Sequence, residues 1–199
     1  MTLQRTCRTF ISLLFFLISI SLLQTSQAHT DHQEIQVIST LVVNQQKQLS
    51  EIRMVWRYDT FSSDDMLQHE SDLNRLAKTL MSDIARFNYF TRLQSGKNRI
   101  QVHSVGRFAV NKVTDRDNNP ALALSFTLAL KKPVSISDIK KLDIVHADPT
   151  NRSLFYYDRA EDVILANELT TKCGAHVKDK AAFKEGEFPQ IVAVICRAQ

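Results

Sequence analysis

Two histidines and an aspartate lie within four consecutive residues, at His29, Asp31 and His32. Imidazole nitrogens are good ligands for Cu(II), Ni(II) and Zn(II), and a carboxylate can supplement them. If the chain is cut before His29, the new α-amine, with a pKa of about 8, becomes a further nitrogen ligand. These residue types at this spacing predict a transition-metal site at a processed amino terminus. The alternative is a solvated chain end whose histidines have no role.

The residues before His29 predict that such a cut occurs. A short basic segment precedes the apolar run Phe10–Leu23, and a small-x-small pattern ends at Ala28. This order is typical of a secretory signal peptide, and the apolar run is short for a membrane span. We therefore expect a signal peptide over residues 1–28 and a single periplasmic domain over residues 29–199, without direct membrane insertion after cleavage. An uncleaved amino-terminal anchor is the alternative.

The charge distribution argues against two classes of partner. All 21 acidic residues, and all 25 basic residues except Arg5 and Arg8, lie after residue 28, which leaves a mature net charge of +2. Lysine and arginine are scattered, with no run of five or more. This pattern predicts neither nucleic-acid binding nor a patch for anionic membranes.

Two cysteines, Cys173 and Cys196, remain in the expected mature chain. In an oxidising compartment an isolated pair is most simply a disulfide. By the chain-entropy estimate, closing this loop stabilises the fold by about 3 kcal/mol. A thiolate metal site is the alternative, and it requires reduced sulfurs.

Three further residues could carry chemistry. Asp59 lies between a predicted strand and a predicted helix, where it could be a metal ligand or general base, or could accept from N–H groups of the turn or helix start. His146 and Asp148 are two residues apart, so on an extended strand they point to one face and could share a metal or a proton. Asp148 also precedes Pro149, and Asp-Pro commonly opens a turn.

Alternating apolar and polar residues predict that strands position these side chains. Two such runs, Glu34–Val43 and Ile52–Asp59, surround a polar break and predict an antiparallel hairpin. Further strands are expected over Tyr89–Leu93, Arg99–Val102, Arg107–Val113, Ala121–Leu130, Leu142–Ala147, Ser153–Tyr157, Val163–Leu165, Cys173–Val177 and Gln190–Cys196.

One segment has the period of a helix. Apolar residues from Leu73 to Ile84 recur three and four positions apart, and Ser62 to Asp65 offer side chains that can cap a helix start. We expect one long amphipathic helix from Asp64 to Phe87. The predicted fold class is therefore α+β: a mostly antiparallel sheet or sandwich with this helix packed on it.

Several motifs, taken together, resemble one protein family. They are Trp56-Arg57-Tyr58-Asp59-Thr60-Phe61-Ser62, Asn88-Tyr89-Phe90-Thr91, Ser95-Gly96-Lys97, Leu124-Ser125-Phe126-Thr127-Leu128, Asp148-Pro149-Thr150 and a late Cys-Gly. In these segments the chain is similar to uncharacterised bacterial periplasmic proteins labelled "ABC-type uncharacterized transport system, periplasmic component".

The resemblance implies a role in handling a transition metal. Members of that family typically begin with His-Pro-His after their signal peptide, and tend to be encoded beside, or fused to, nickel/cobalt-type transporters. The implied cofactor is Ni, Co, Zn or Cu, and the implied partner is an inner-membrane metal transporter. Here His29-Thr30-Asp31-His32 replaces His-Pro-His, which keeps both imidazoles but changes their spacing.

The sequence therefore favours a non-enzymatic periplasmic accessory protein that binds a transition metal or delivers it to a transporter. A first alternative is an interaction module that binds no metal. A second is a small hydrolase that uses Asp59, His146 and Asp148. Signature motifs of α/β-hydrolases, zinc proteases and phosphate-binding loops are absent from the sequence.

Overall fold

The computed structural model describes residues 32–115, 117–150, 152–166, 168–179 and 190–197. The predicted signal peptide, His29 and Asp31 lie outside the described residues. The strands are β1 (Gln33–Val43), β2 (Gln48–Tyr58), β3 (Thr91–Ser95), β4 (Asn98–Ile100), β5 (Val102–Thr114), β6 (Pro120–Ser135), β7 (Lys141–His146), β8 (Ser153–Tyr156), β9 (Val163–Leu165), β10 (Cys173–Asp179) and β11 (Gln190–Cys196). The chain is thus mostly β, as the alternation predicts.

The first sheet has the order β5-β6-β2-β1-β8, with β9 also paired to β1. The predicted hairpin of β1 and β2 is present, and Val37 pairs with Trp56, which pairs in turn with Leu124 of β6. All three side chains are completely buried. Because side chains alternate between the two faces of a strand, this register places one continuous apolar face toward the core.

One edge of the first sheet is not antiparallel. Both β8 and β9 run parallel to β1, with Ile35 opposite Phe155 and Thr40 opposite Ile164. A parallel neighbour needs a longer connection than a hairpin, and alternation within a strand does not reveal which strand lies beside it. The sheet is therefore mixed.

The second sheet is antiparallel and has the order β10-β11-β7-β3-β4. Leu142 and Ile144 of β7, and Val192 of β11, are completely buried and belong to the same apolar cluster as Trp56 of the first sheet. The two sheets thus share one core. Cys173 and Cys196 face each other across β10 and β11 and form the predicted disulfide.

The prediction of one long helix is wrong. The structure has α1 (Thr60–His69) and α2 (Leu73–Arg86) in its place, and a short α3 (Glu168–Lys172) later in the chain. Glu70 ends α1 in an extended conformation, and the Asp72 carboxylate accepts hydrogen bonds from the N–H groups of Asn74 and Arg75 to start α2. Apolar spacing continues across this break, so helical periodicity alone could not locate it.

The helices cover part of the first sheet. α1 packs against β6 and α2 against β5, with Leu76, Ala77, Met81 and Ile84 of α2 buried. In the part of the chain that the structure describes, no helix combines the length and apolar character needed to cross a membrane.

Candidate functional site

His146 lies between the two sheets, at the end of β7. Only 3% of its surface is exposed. Its ring contacts Trp56 at a centroid distance of 6.3 Å, Phe155 at 5.9 Å and Tyr157 at 5.7 Å. On β7 it has the same parity as Leu142 and Ile144, and this alternation is the reason why the side chain points into the core.

A chain of hydrogen bonds runs through His146 from one sheet to the other. Its Nδ1 lies 3.1 Å from Oγ1 of Thr91 on β3, and its Nε2 lies 2.8 Å from the hydroxyl of Tyr157. The Tyr157 hydroxyl lies 2.7 Å from Oγ of Ser39 on β1. All four side chains are buried, so their polar groups depend on one another rather than on water.

The direction of each hydrogen bond in this network follows from the bond that Thr91 makes at one end of it. The Thr91 hydroxyl donates to the carbonyl of Tyr89 at 2.7 Å, so the Thr91 oxygen accepts from Nδ1–H of His146. The free lone pair on Nε2 then accepts from Tyr157, whose oxygen accepts from Ser39. The other contact of the Ser39 hydroxyl is the Met54 sulfur at 3.4 Å, a weak acceptor.

Burial keeps this network neutral. Desolvation lowers the pKa of His146 to about 3 and raises the pKa of Tyr157 well above its usual range. A neutral His146 with both nitrogens in hydrogen bonds has no lone pair free for a metal ion. The network therefore joins the two sheets, and it does not provide a metal ligand or a solvent-accessible base.

Asp148 has different partners from those of His146. Its Oδ1 accepts from the N–H and hydroxyl of Thr150, and its Oδ2 accepts from the N–H groups of Arg152 and Ser153. The carboxylate is 5% exposed and organises the turn that leads into β8. Asp148 thus acts as a turn-forming residue, and no hydrogen bond joins it to His146 among the described residues.

Asp59 caps α1. Its carboxylate accepts from the N–H and hydroxyl of Ser62, both at 2.7 Å, and from the N–H of Glu34 at 3.0 Å. The same carboxylate therefore ties the first turn of the helix to the beginning of β1. In the described structure Asp59 shares no partner with His146 or Asp148, so the three residues of the hydrolase alternative do not form one site.

His32 is the described member of the predicted amino-terminal metal site. It is exposed and lies directly before β1, whose first N–H, from Gln33, donates to the carbonyl of Arg152 at 2.9 Å. His69, His103 and His176 are also exposed. Within the described ranges, no group of three or more His, Cys, Asp or Glu side chains is arranged to hold a metal ion.

The sequence analysis missed the partners of His146. Ser39, Thr91 and Tyr157 are ordinary strand or loop residues in sequence, separated from His146 by up to about a hundred positions. One signal was available, because the parity of His146 with Leu142 and Ile144 indicates an inward side chain. An inward histidine requires polar partners, but the sequence does not say which ones.

Comparison with known proteins places the chain in a family. A family model described as "Protein of unknown function (DUF1007)" matches residues 14–185. The chain belongs to the DUF1007 family. This agrees with the resemblance to uncharacterised proteins, and the description of the family assigns no activity.

The other comparisons add no function. A search of curated proteins gives no match. Among solved structures, the chain is similar to acetylcholine-binding protein type 1 from Biomphalaria glabrata, with a TM-score of 0.36 and 9% identity over 89% of this chain and 91% of that chain. At this TM-score the likeness supports no argument about fold or ligand.

Proposed function

We propose that this DUF1007 protein is a periplasmic accessory protein that binds a divalent transition metal at its processed amino terminus and passes it to an inner-membrane transporter. His29 and its α-amine chelate the ion, His32 supplies a second imidazole, and Asp31 adds a carboxylate. Nitrogen-rich sets of this kind suit Cu(II), Ni(II) and Zn(II). The observation that carries the proposal is the exposed position of His32 directly before a fixed strand.

The beginning of β1 is held on both sides. The N–H of Gln33 donates to Arg152, and the N–H of Glu34 donates to the carboxylate of Asp59. His32 therefore leaves the folded body at a defined point, one residue from an anchored backbone. A ligand at this position is presented to solvent and to a partner, which suits transfer of an ion better than permanent storage.

The disulfide of the folded domain supports export from the cytoplasm. The disulfide between Cys173 and Cys196 is typical of proteins that fold outside the reducing cytoplasm. The disulfide also prevents both sulfurs from binding the metal as thiolates. Together with the signal-like sequence of residues 1–28, this supports a periplasmic location.

Isothermal titration of the processed protein with Cu(II), Ni(II) and Zn(II) tests the proposal. We expect one ion per chain with micromolar or tighter affinity for at least one of these metals. The double variant His29→Ala/His32→Ala should lose this binding, because two imidazoles are removed.

The matched control is the double variant His69→Ala/His103→Ala. It removes the same number of imidazoles from exposed positions elsewhere and should bind as the wild type does. If the processed wild-type protein binds none of the three metals, or if both double variants bind equally well, the amino-terminal site does not exist. In that case the interaction module becomes the better account.

A further inference from the structure

A small pocket lies beside the end of α2 and is lined in part by residues of β3, β4 and β7 of the second sheet. Its volume is about 220 Å³, below the usual range of drug-sized pockets, so any ligand is small. Val145 lies in its lining, together with the rings of Phe87 and Phe90, and Pro149. The two phenyl rings are stacked, with their centroids 5.4 Å apart. This part of the pocket is therefore apolar and suits a flat group.

Two arginines also line the pocket. Arg92 lies on β3 opposite Val145, and Arg99 on β4 lies opposite Gln94, two positions along β3 from Arg92. This register puts both guanidinium groups on one face as diagonal neighbours, within reach of a common ligand. The described residues provide no carboxylate within ion-pair distance of either arginine, and the lining contains no acidic residue. Among the described residues, the site therefore has two positive charges and no acidic partner for them.

The backbone at the rim of the pocket is strained. Asn88, Tyr89 and Phe90 follow one another with φ angles of 55°, 57° and 47°, a left-handed conformation that residues other than glycine rarely adopt. Side-chain bonds hold the turn, since the Asn88 amide donates to the Thr91 carbonyl at 3.0 Å. The Phe90 carbonyl accepts from the N–H of Ala147 at 2.9 Å, which fixes the turn to the end of β7.

We propose that this pocket binds a small organic anion with a planar apolar part, for example an aromatic carboxylate. The carboxylate pairs with the guanidinium groups of Arg92 and Arg99, whose planar N–H donors match its geometry. The ring packs against the exposed phenyl ring of Phe87 in an offset arrangement, because Phe90 is already stacked between Phe87 and Trp56. The strained turn keeps the two phenyl rings in place before the ligand arrives, which reduces the ordering cost of binding.

Titration with benzoate, followed by NMR chemical shifts of the processed protein, tests this inference. We expect saturable binding with shifts in the Arg92, Arg99 and Asn88–Thr91 signals. Benzyl alcohol lacks the charge and acetate lacks the ring, so both should bind about tenfold more weakly or not at all. No saturable binding of benzoate overturns the proposal, and acetate binding as strong as that of benzoate overturns the role of the phenyl rings.

Substitutions of the two lining arginines test where benzoate binds. Arg92→Gln and Arg99→Gln should each weaken benzoate binding by about tenfold, the loss expected for one charge-assisted pair. Lys97→Gln is the matched control, because it removes the same charge from the turn between β3 and β4 but outside the pocket, and it should leave binding unchanged. Equal losses in all three variants would indicate a general charge effect and would contradict a defined site. Circular dichroism verifies that each variant is folded.

Discussion

The imidazole of His146 and the hydroxyl of Tyr157 share a hydrogen bond of 2.8 Å between the two sheets. His146 ends β7 of the second sheet, and Tyr157 directly follows β8 of the first. The bond therefore joins parts of the chain that pack face to face, in surroundings where water cannot replace a lost partner. Such a network acts on the stability of the sandwich, and its effects can be measured by unfolding.

His146 should make stability depend on pH. Burial lowers its pKa in the folded protein to about 3, from an ordinary value of 6.5, so the unfolded chain binds the proton more readily. The stability that depends on a neutral His146 is fully present above pH 6.5 and is lost as the pH falls from 6.5 toward 3. The free energy of unfolding should drop by up to about 1.4 kcal/mol per pH unit in this range.

Urea unfolding of the wild type and His146→Gln at several pH values measures this contribution. Carboxylates add the same pH dependence to both proteins, so the difference between the two slopes belongs to His146. His69→Gln changes an exposed histidine outside the network and is the control for the substitution itself. Identical slopes for wild type and His146→Gln would show that His146 is not protonated on unfolding.

Tyr157→Phe should destabilise the protein by about 1–3 kcal/mol, because it leaves Nε2 of His146 without a partner and leaves the hydroxyl of Ser39 with only the weak acceptor sulfur of Met54. Adding Ser39→Ala removes the second of these groups. The loss in the double variant should therefore be smaller than the sum of the two single losses. Denaturant unfolding of the four proteins gives the coupling energy, and strictly additive losses would argue against the network.

Asp59→Ala should cost about 1–2 kcal/mol through loss of the cap of α1. Asp72→Ala, which removes the cap of α2, is the matched comparison and should cost less, because Asp59 also holds the N–H of Glu34 at the start of β1. Thermal unfolding ranks the two variants. Metal titration of Asp59→Ala should match that of the wild type. A large loss of metal affinity would indicate that Asp59 is a metal ligand.

Asp148→Asn should destabilise the turn before β8 although the side chain keeps its size. Both carboxylate oxygens accept two hydrogen bonds each, so either orientation of an amide places its NH₂ against two donors. We expect a loss of about 1–3 kcal/mol in denaturant unfolding. If Asp148→Asn were as stable as the wild type, the four hydrogen bonds would contribute little to the turn.

Local patterns predicted most of the strands, and failed where neighbours far apart in sequence decide the structure. The alternation around Trp56 places this residue in the core without knowledge of its partners. The parallel pairing of β8 and β9 with β1 has no comparable local signature. The break at Glu70 contains neither glycine nor proline, and it falls inside a stripe of apolar residues that continues into α2.

The candidate sites also differ in how far the sequence alone could predict them. Asp59 and Asp148 could be interpreted in advance, because short-range hydrogen bonds to following N–H groups are a common role of aspartate in turns and caps. The left-handed turn at Asn88–Phe90 could not, since tyrosine and phenylalanine rarely adopt it. The placement of Arg92 and Arg99 on one face of the sheet required the register of β3 and β4, which no single residue reveals.

The most direct test of the central proposal compares two forms of the mature protein that differ only at the amino end. One form has a free α-amine at His29 and the other is acetylated at this amine, which leaves both imidazoles in place but removes the amine as a ligand. Equilibrium dialysis against Cu(II), Ni(II) and Zn(II) measures the affinity of each form. We predict that the form with the free α-amine binds one ion at micromolar or lower concentration, and that acetylation weakens binding at least tenfold. Equal affinity of the two forms, or no binding by either, would contradict a metal site built on the processed terminus.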